Sequence, residues 1–143
     1  MRTFADAFPQ GTVWNSAITQ RGYDVVMLGR REPLRLDLGE IARRMAQNPR
    51  LAESLRQVSI GSVVDLLATY GTRAADMQAW FANTPVNRDF SLKLEYISGL
   101  ALNRQDADPI YENMTRAHTF PEPLFGGPPE LLAELRRRIV GER

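Results

Sequence analysis

The polar segment from Thr84 to Asp89 is the stretch whose residue types are best suited to chemistry. It carries Asn87, Arg88 and Asp89 between a predicted helix and a predicted strand. Side chains of this kind on a loop held by a rigid scaffold are suited to binding a polar ligand. Asn and Asp also satisfy backbone groups in ordinary turns, and composition alone favours the turn.

Three other segments have weaker claims to chemistry. Gly126-Gly127 followed by two prolines precedes a predicted helix, but it lacks the Lys-Ser/Thr pair and the preceding strand of a phosphate-binding loop, which favours a simple turn. His118 has no hydroxyl or carboxylate at a suggestive spacing. The three consecutive arginines at 136–138 stand near the end of the last predicted helix, where cations are favourable, and no interleaved aromatic residues suggest nucleic-acid stacking.

Composition excludes several classes of site. The chain has 143 residues, no cysteine, one histidine and a formal net charge of +1. Disulfides, thiolate catalysis and a histidine metal cluster are therefore excluded, and no global field attracts nucleic acid or acidic lipid. No apolar run is long enough to span a membrane. We expect no metal, no cofactor, no nucleic-acid or membrane partner for this chain, and a cytoplasmic location.

The N-terminal part predicts a helix end followed by a β-hairpin. Phe4 and Phe8 have helical spacing in a segment that Pro9 ends and that has no N-cap. Residues 12–18 and 24–28 form two apolar strand-like runs joined by a turn at 20–22. A lone hairpin is marginal in water, so these strands need a sheet to join, either within the chain or from a partner.

The remainder is predicted to be mainly helical. Asp37 caps one helix, Asn48-Pro49 starts a second that buries Leu51, Leu55 and Val58, and Ser62 with Asp65 opens a third over 63–70. We expect Gly71 to close that third helix and Thr72 to cap a fourth, whose apolar edge is Met77, Trp80 and Phe81. Further expectations are a strand over 92–97 and helices from 106 or 108 to 117 and over 129–140.

These elements predict an α+β fold, mostly helical, with an N-terminal hairpin, several short helices and one further short strand. Residues 1–36 are the expected edge of a Rossmann-like sheet, and 37–143 a helical extension packed with it as one unit. An unpaired strand edge exposes backbone N–H and C=O groups that tend to pair with another strand. We therefore expect the hairpin edge to pair with a second copy of the chain or to be covered by the chain's own helices.

Several segments, in order along the chain, resemble the C-terminal part of bacterial spermidine-synthase-like proteins. They are RTFADAFPQGTVWN, VVMLGRREPLRLDL, ANTPVNRDFSLKLEY and NRQDADPIYENMTRAHTFPEPLFGGPPELL. The resemblance implies a methyltransferase-type fold and a parent protein that transfers an aminopropyl group from decarboxylated S-adenosylmethionine to a polyamine. Within it, Asn87, Asp89 and Glu95 are the candidate substrate-binding residues, and no residue of the chain is assigned a catalytic role.

The family's glycine-rich loop, acidic ribose-binding residue and catalytic aspartate would all precede the position of Met1. The resemblance and the uncapped first helix therefore predict a C-terminal segment that is itself non-catalytic. Two alternatives stay open at this point. One is a free-standing helical protein-interaction module, and the other is a fragment of an S-adenosylmethionine-dependent methyltransferase, since the fold does not fix the reaction.

Overall fold

The described part of the chain combines short helices with two small sheets, which confirms the α+β class. A computed structural model describes residues 1–16, 24–88 and 119–141. In chain order its elements are α1 (Arg2–Ala7), β1 (Thr12–Asn15), β2 (Val25–Leu28), β3 (Leu36–Asp37), α2 (Leu38–Gln47), α3 (Pro49–Gln57), α4 (Val63–Ala68), β4 (Tyr70–Arg73), a 3-10 turn (Ala74–Met77), α5 (Gln78–Phe81), β5 (Phe125–Gly126) and α6 (Pro129–Gly141).

The predicted hairpin is present as the antiparallel pair β1–β2. Thr12 lies opposite Leu28 and Asn15 opposite Val25. Asn15 is the last residue of β1, and residues 17–23, which include the end of the predicted first strand and its turn, lie outside the described residues. The hairpin is one part of a three-stranded sheet in which β1 is the central strand.

The third strand of this sheet corrects two predictions. Tyr70 and Gly71 do not end a helix, and Thr72 does not cap one, because all three belong to β4, which pairs antiparallel with β1. The preceding helix α4 ends at Ala68, and Thr69 forms its C-cap. Pairing with β1 satisfies the backbone groups of this segment over a long sequence separation, which outweighs the local helix-ending signal of Gly71.

The helix starts follow the predicted capping signals. The Asp37 side chain accepts a hydrogen bond from the Glu40 backbone N–H, and the Asn48 side chain accepts one from the N–H of Leu51. At α4 the pattern is reciprocal, because Ser62 Oγ accepts from the Asp65 N–H and donates to the Asp65 carboxylate. These bonds satisfy N–H groups that the first turn of a helix leaves unpaired.

The expected burial of α3 is wrong. Leu51 is 42% exposed and Val58 62% exposed. Leu55, on the same helix, is half-buried against the main core. The α3 helix therefore contacts the rest of the protein through a narrow strip, although it begins at Pro49 as the sequence predicts.

Two apolar clusters lie on the sheet, and β1 contributes to both. Trp14 belongs to the larger cluster with residues of α2, α4, β4, β5 and α6, whereas Val13 packs in a smaller one with Ala5, Ala74, Met77 and Phe81. Successive residues of a strand face opposite sides of a sheet, so β1 connects the two clusters. The division of the chain into units at 1–36 and 37–143 stays a prediction.

A short parallel pair ties the C-terminal part to the start of α2. Leu36 lies opposite Phe125 and Asp37 opposite Gly126. Gly127 follows with φ of +125°, a conformation that favours glycine. α6 then buries Leu135 and Ile139, and Arg138 Nη2 lies 3.2 Å from a carboxylate oxygen of Asp65 on α4.

The predicted strand over 92–97, the predicted helix ending at 117 and His118 fall outside the described residues. In the ranges that are described, every helix is too short or too polar to cross a lipid bilayer.

Candidate functional site

The structure ties the polar segment around Asn87 to the first helix. The backbone N–H of Asn87 donates a 2.9 Å hydrogen bond to Thr3 Oγ1. Close by in sequence, the carbonyl of Phe81 accepts a hydrogen bond from Arg2 of the same helix. Asn87 itself is half-buried. Its backbone thus anchors the segment to α1, as a turn residue does.

The other two candidate substrate-binding residues cannot be placed beside Asn87. Asp89 and Glu95 lie outside the described residues. The proposed role of all three in binding a substrate therefore stays a prediction from resemblance.

The most distinctive surface is strand β2, hereafter the open edge. Its four residues are all apolar, and their exposed fractions are 37% for Val25, 50% for Val26, 43% for Met27 and 48% for Leu28. Among the strands in the described ranges, only β1 pairs with it, so its outer side has no neighbour there. Apolar patches exposed in this way mark interaction sites.

The hydrogen-bond pattern shows which backbone groups point outward from the open edge. The Ser16 N–H donates to the Asp24 carbonyl, and the Gln10 N–H donates to the Arg30 carbonyl. Hydrogen-bonded pairs alternate along an antiparallel ladder, so the even-numbered residues of β2 bond β1. Val25 and Met27 consequently direct their N–H and C=O groups away from β1, towards the position of an added strand.

The side chains of the open edge are apolar on both faces of the sheet. Val25 and Met27 lie on one face, and Val26 and Leu28 on the other, because side chains alternate along a strand. Strands that are apolar on both faces are typical of sheets covered by other elements on each side. The unbroken run of apolar residues from 25 to 28 is the signal of this two-sided apolar strand in the sequence.

Asn15 is a buried polar residue that sequence reasoning missed. Its side chain is 5% exposed, and neither its amide nitrogen nor its oxygen has a hydrogen-bond partner in the described structure. It lies opposite Val25, on the same face of the sheet. A buried amide without partners costs about 1–3 kcal/mol.

A small cleft beside β1 and β4 offers little for ligand chemistry. It is lined in part by Gln10, Thr12 and Arg73. The Arg73 guanidinium donates two 2.8 Å hydrogen bonds to the carboxylate of Asp76. These bonds raise the pKa of Arg73, so the cation in this cleft is already neutralised by its own neighbour.

Two other pKa shifts have structural rather than catalytic causes. Burial raises the pKa of the Tyr70 hydroxyl, and the negative charge of Asp76 adds to the effect. Hydrogen bonds from Arg43 and Arg44 lower the pKa of Glu40 on the surface of α2. Both arrangements stabilise the ordinary charge state of the side chain at neutral pH.

Within the described ranges, no three acidic, histidine or cysteine side chains are grouped so that they could hold a metal ion. Of the features described above, the open edge is therefore the candidate site that the structure supports best. No protein-family model, curated protein or solved structure matches the chain.

Proposed function

We propose that this chain is a non-catalytic C-terminal segment of a spermidine-synthase-like protein, and that its hairpin joins the sheet of that protein. The observation that carries the proposal is the open edge, which is apolar on both faces and has outward-pointing backbone groups. A strand of this kind fits an interior position in a sheet with helices on both sides. The sequence resemblance supplies the family.

In this role the chain contributes packing, and the parent protein supplies the chemistry. The parent transfers an aminopropyl group from decarboxylated S-adenosylmethionine to a polyamine, with its cofactor-binding and catalytic residues upstream of Met1. Asn87, Asp89 and Glu95 are proposed to form part of the wall on the polyamine side. The whole assembly is proposed to be cytoplasmic.

A methyltransferase parent would use the open edge in the same way, since the two families share the fold.

The alternative of a helical interaction module is favoured by a different surface. Leu51 and Val58 are exposed apolar residues at the start and end of α3. Such a module would recognise its partner through α3 and would leave β2 uninvolved.

The DNA upstream of Met1 provides the first test. An in-frame strand, glycine-rich loop and helix are expected there, and in-frame stop codons directly upstream would contradict the proposal. The longer protein should transfer aminopropyl groups from decarboxylated S-adenosylmethionine to putrescine, as followed by mass spectrometry. The 143-residue chain alone should transfer none. Methylation by the longer protein in place of aminopropyl transfer would support the methyltransferase parent.

Two matched variants of the longer protein separate the open edge from α3. Val26 and Val58 are both exposed valines, at 50% and 62%. Val26→Lys places a charge where the neighbouring strand and its covering layer would pack, so it should reduce activity and thermal stability together. Val58→Lys should leave both unchanged. The opposite result would favour the interaction module.

A further inference from the structure

The open edge has opposite charges at its two ends. Asp24 immediately precedes β2, and Arg30 follows it by two residues. The ion pair that Arg30 makes with Glu32 is long, at 3.9 Å, and the Glu32 side chain is 85% exposed. Such an exposed pair holds Arg30 only weakly, so its guanidinium is available to a better-placed carboxylate.

We propose that the open edge of the 143-residue chain pairs antiparallel with the open edge of a second copy, with Met27 on the two-fold axis. The alternation of backbone bonds limits the possible registers. Val25, Met27 and Gly29 are the odd-numbered residues whose backbone groups point away from β1, so odd residues must face odd residues across the new pair.

Charge selects one register among those that remain. With Met27 on the axis, Asp24 of each copy lies opposite Arg30 of the other. An axis at Val26 would place Asp24 opposite Leu28, and an axis at Leu28 would place it opposite Glu32, a like charge. Opposite charges directly across an antiparallel pair are stabilising, and like charges are destabilising.

A parallel arrangement is disfavoured for the same reason, because it brings the two Asp24 residues together at one end and the two Arg30 residues together at the other. In the antiparallel register, Val26 of each copy faces Leu28 of the other. The apolar side chains of the strand thus meet apolar partners, and its outward N–H and C=O groups find hydrogen-bond partners.

The same edge serves the proposed docking in a longer protein, and it holds one occupant at a time. Self-pairing therefore applies to the chain on its own and does not depend on the spermidine-synthase-like parent. A monomeric chain in solution would overturn self-pairing, whereas the proposed function is decided by the upstream sequence and the transfer assay.

Disulfide trapping tests the register directly, because the chain has no cysteine of its own. Residues opposite each other in a hydrogen-bonded antiparallel pair have Cα atoms about 5.5 Å apart, within reach of a disulfide. Oxidation of Met27→Cys by copper phenanthroline and oxygen should therefore give a covalent dimer on a non-reducing gel.

Val25→Cys is the matched control, on the same strand and the same face. In the proposed register its two copies are on the order of 14 Å apart, too far to be bridged. Efficient cross-linking of Val25→Cys with none at Met27→Cys would overturn the register. A dimer in sedimentation that neither variant traps would overturn the use of this edge.

Charge reversal provides a second test that leaves the apolar residues intact. Asp24→Arg and Arg30→Asp should each weaken dimerisation in sedimentation velocity, by roughly tenfold in the dissociation constant. An equimolar mixture of the two single variants should restore it, because each Arg then faces an Asp. Unchanged dimerisation in both single variants, or no recovery on mixing, would contradict the proposal.

Discussion

Trp14 and Tyr70 pack edge to face, with ring centroids 5.6 Å apart and ring planes at 81°. They are partners in the pairing of β1 with β4, so the contact joins the hairpin to the chain segment that follows α4. Phe125 of β5 meets both rings edge-on, at 5.8 Å from Tyr70 and 6.4 Å from Trp14. These three aromatic residues connect the two sheets.

We expect Trp14 and Tyr70 to be energetically coupled. In a double-mutant cycle with Trp14→Leu and Tyr70→Leu, the coupling should be about 0.5–1.5 kcal/mol, the usual range for an edge-to-face aromatic pair. Urea unfolding followed by circular dichroism measures it. The control cycle combines Tyr70→Leu with Trp80→Leu, since Trp80 is partly exposed and pairs with Phe81 instead. Additive effects in the first cycle would contradict the contact.

Tyr70 should also make the protein sensitive to alkaline pH. Burial raises the pKa of its hydroxyl above the ordinary value of 10.0. The unfolded chain therefore loses this proton at lower pH than the folded chain. The resulting stability is fully present below about pH 10 and is lost as the pH rises from there towards the folded-state pKa.

Tyr70→Phe is the appropriate comparison, because it removes the titrating group and keeps the ring. The free energy of unfolding of the unsubstituted protein should fall more steeply above pH 10 than that of Tyr70→Phe, as measured by urea titration at each pH. Parallel curves for the two proteins would show that the hydroxyl titrates alike in the folded and unfolded chains.

The helix starts can be predicted from the sequence because interactions between residues close together in the chain determine them. Asp37 and Asn48 mark helix starts because their side chains bond backbone groups three residues away. The interpretation failed at Tyr70 and Thr72, where pairing with β1 decides the conformation. A sequence window around Gly71 contains no information about that distant partner. The sequence predicts that the hairpin needs a further strand, but it does not identify β4 as the strand that pairs with β1.

Any side chain at position 127 should reduce the stability of the fold. Its φ of +125° is a conformation that residues with a Cβ rarely adopt, and a Cβ there would lie 3.1 Å from the backbone nitrogen of Leu38. Gly127→Ala is therefore expected to lower the free energy of unfolding by about 1–3 kcal/mol. Gly61→Ala is the matched control, because the nearest atom to its added Cβ is a carboxylate oxygen of Asp65 at 3.5 Å. Equal losses in thermal or urea unfolding would contradict the strain at Gly127.

Replacing Asn15 with an apolar residue should stabilise the protein. The buried side-chain amide lacks hydrogen-bond partners in the described structure, so no hydrogen bond offsets the free-energy cost of removing it from water. Asn15→Leu removes that cost and roughly keeps the shape of the side chain. We expect the free energy of unfolding to rise by about 1 kcal/mol in urea titrations.

Thr12→Val is the contrasting substitution on the same strand. Thr12 is buried like Asn15, but its hydroxyl oxygen accepts a 2.8 Å hydrogen bond from Trp14 Nε1. Removing that acceptor leaves the indole N–H unpaired in the core, so this variant should lose about 1–3 kcal/mol. Opposite signs for the two variants would establish that Asn15 is unpaired in the folded protein. A comparable loss in Asn15→Leu would instead mean that the amide has a partner.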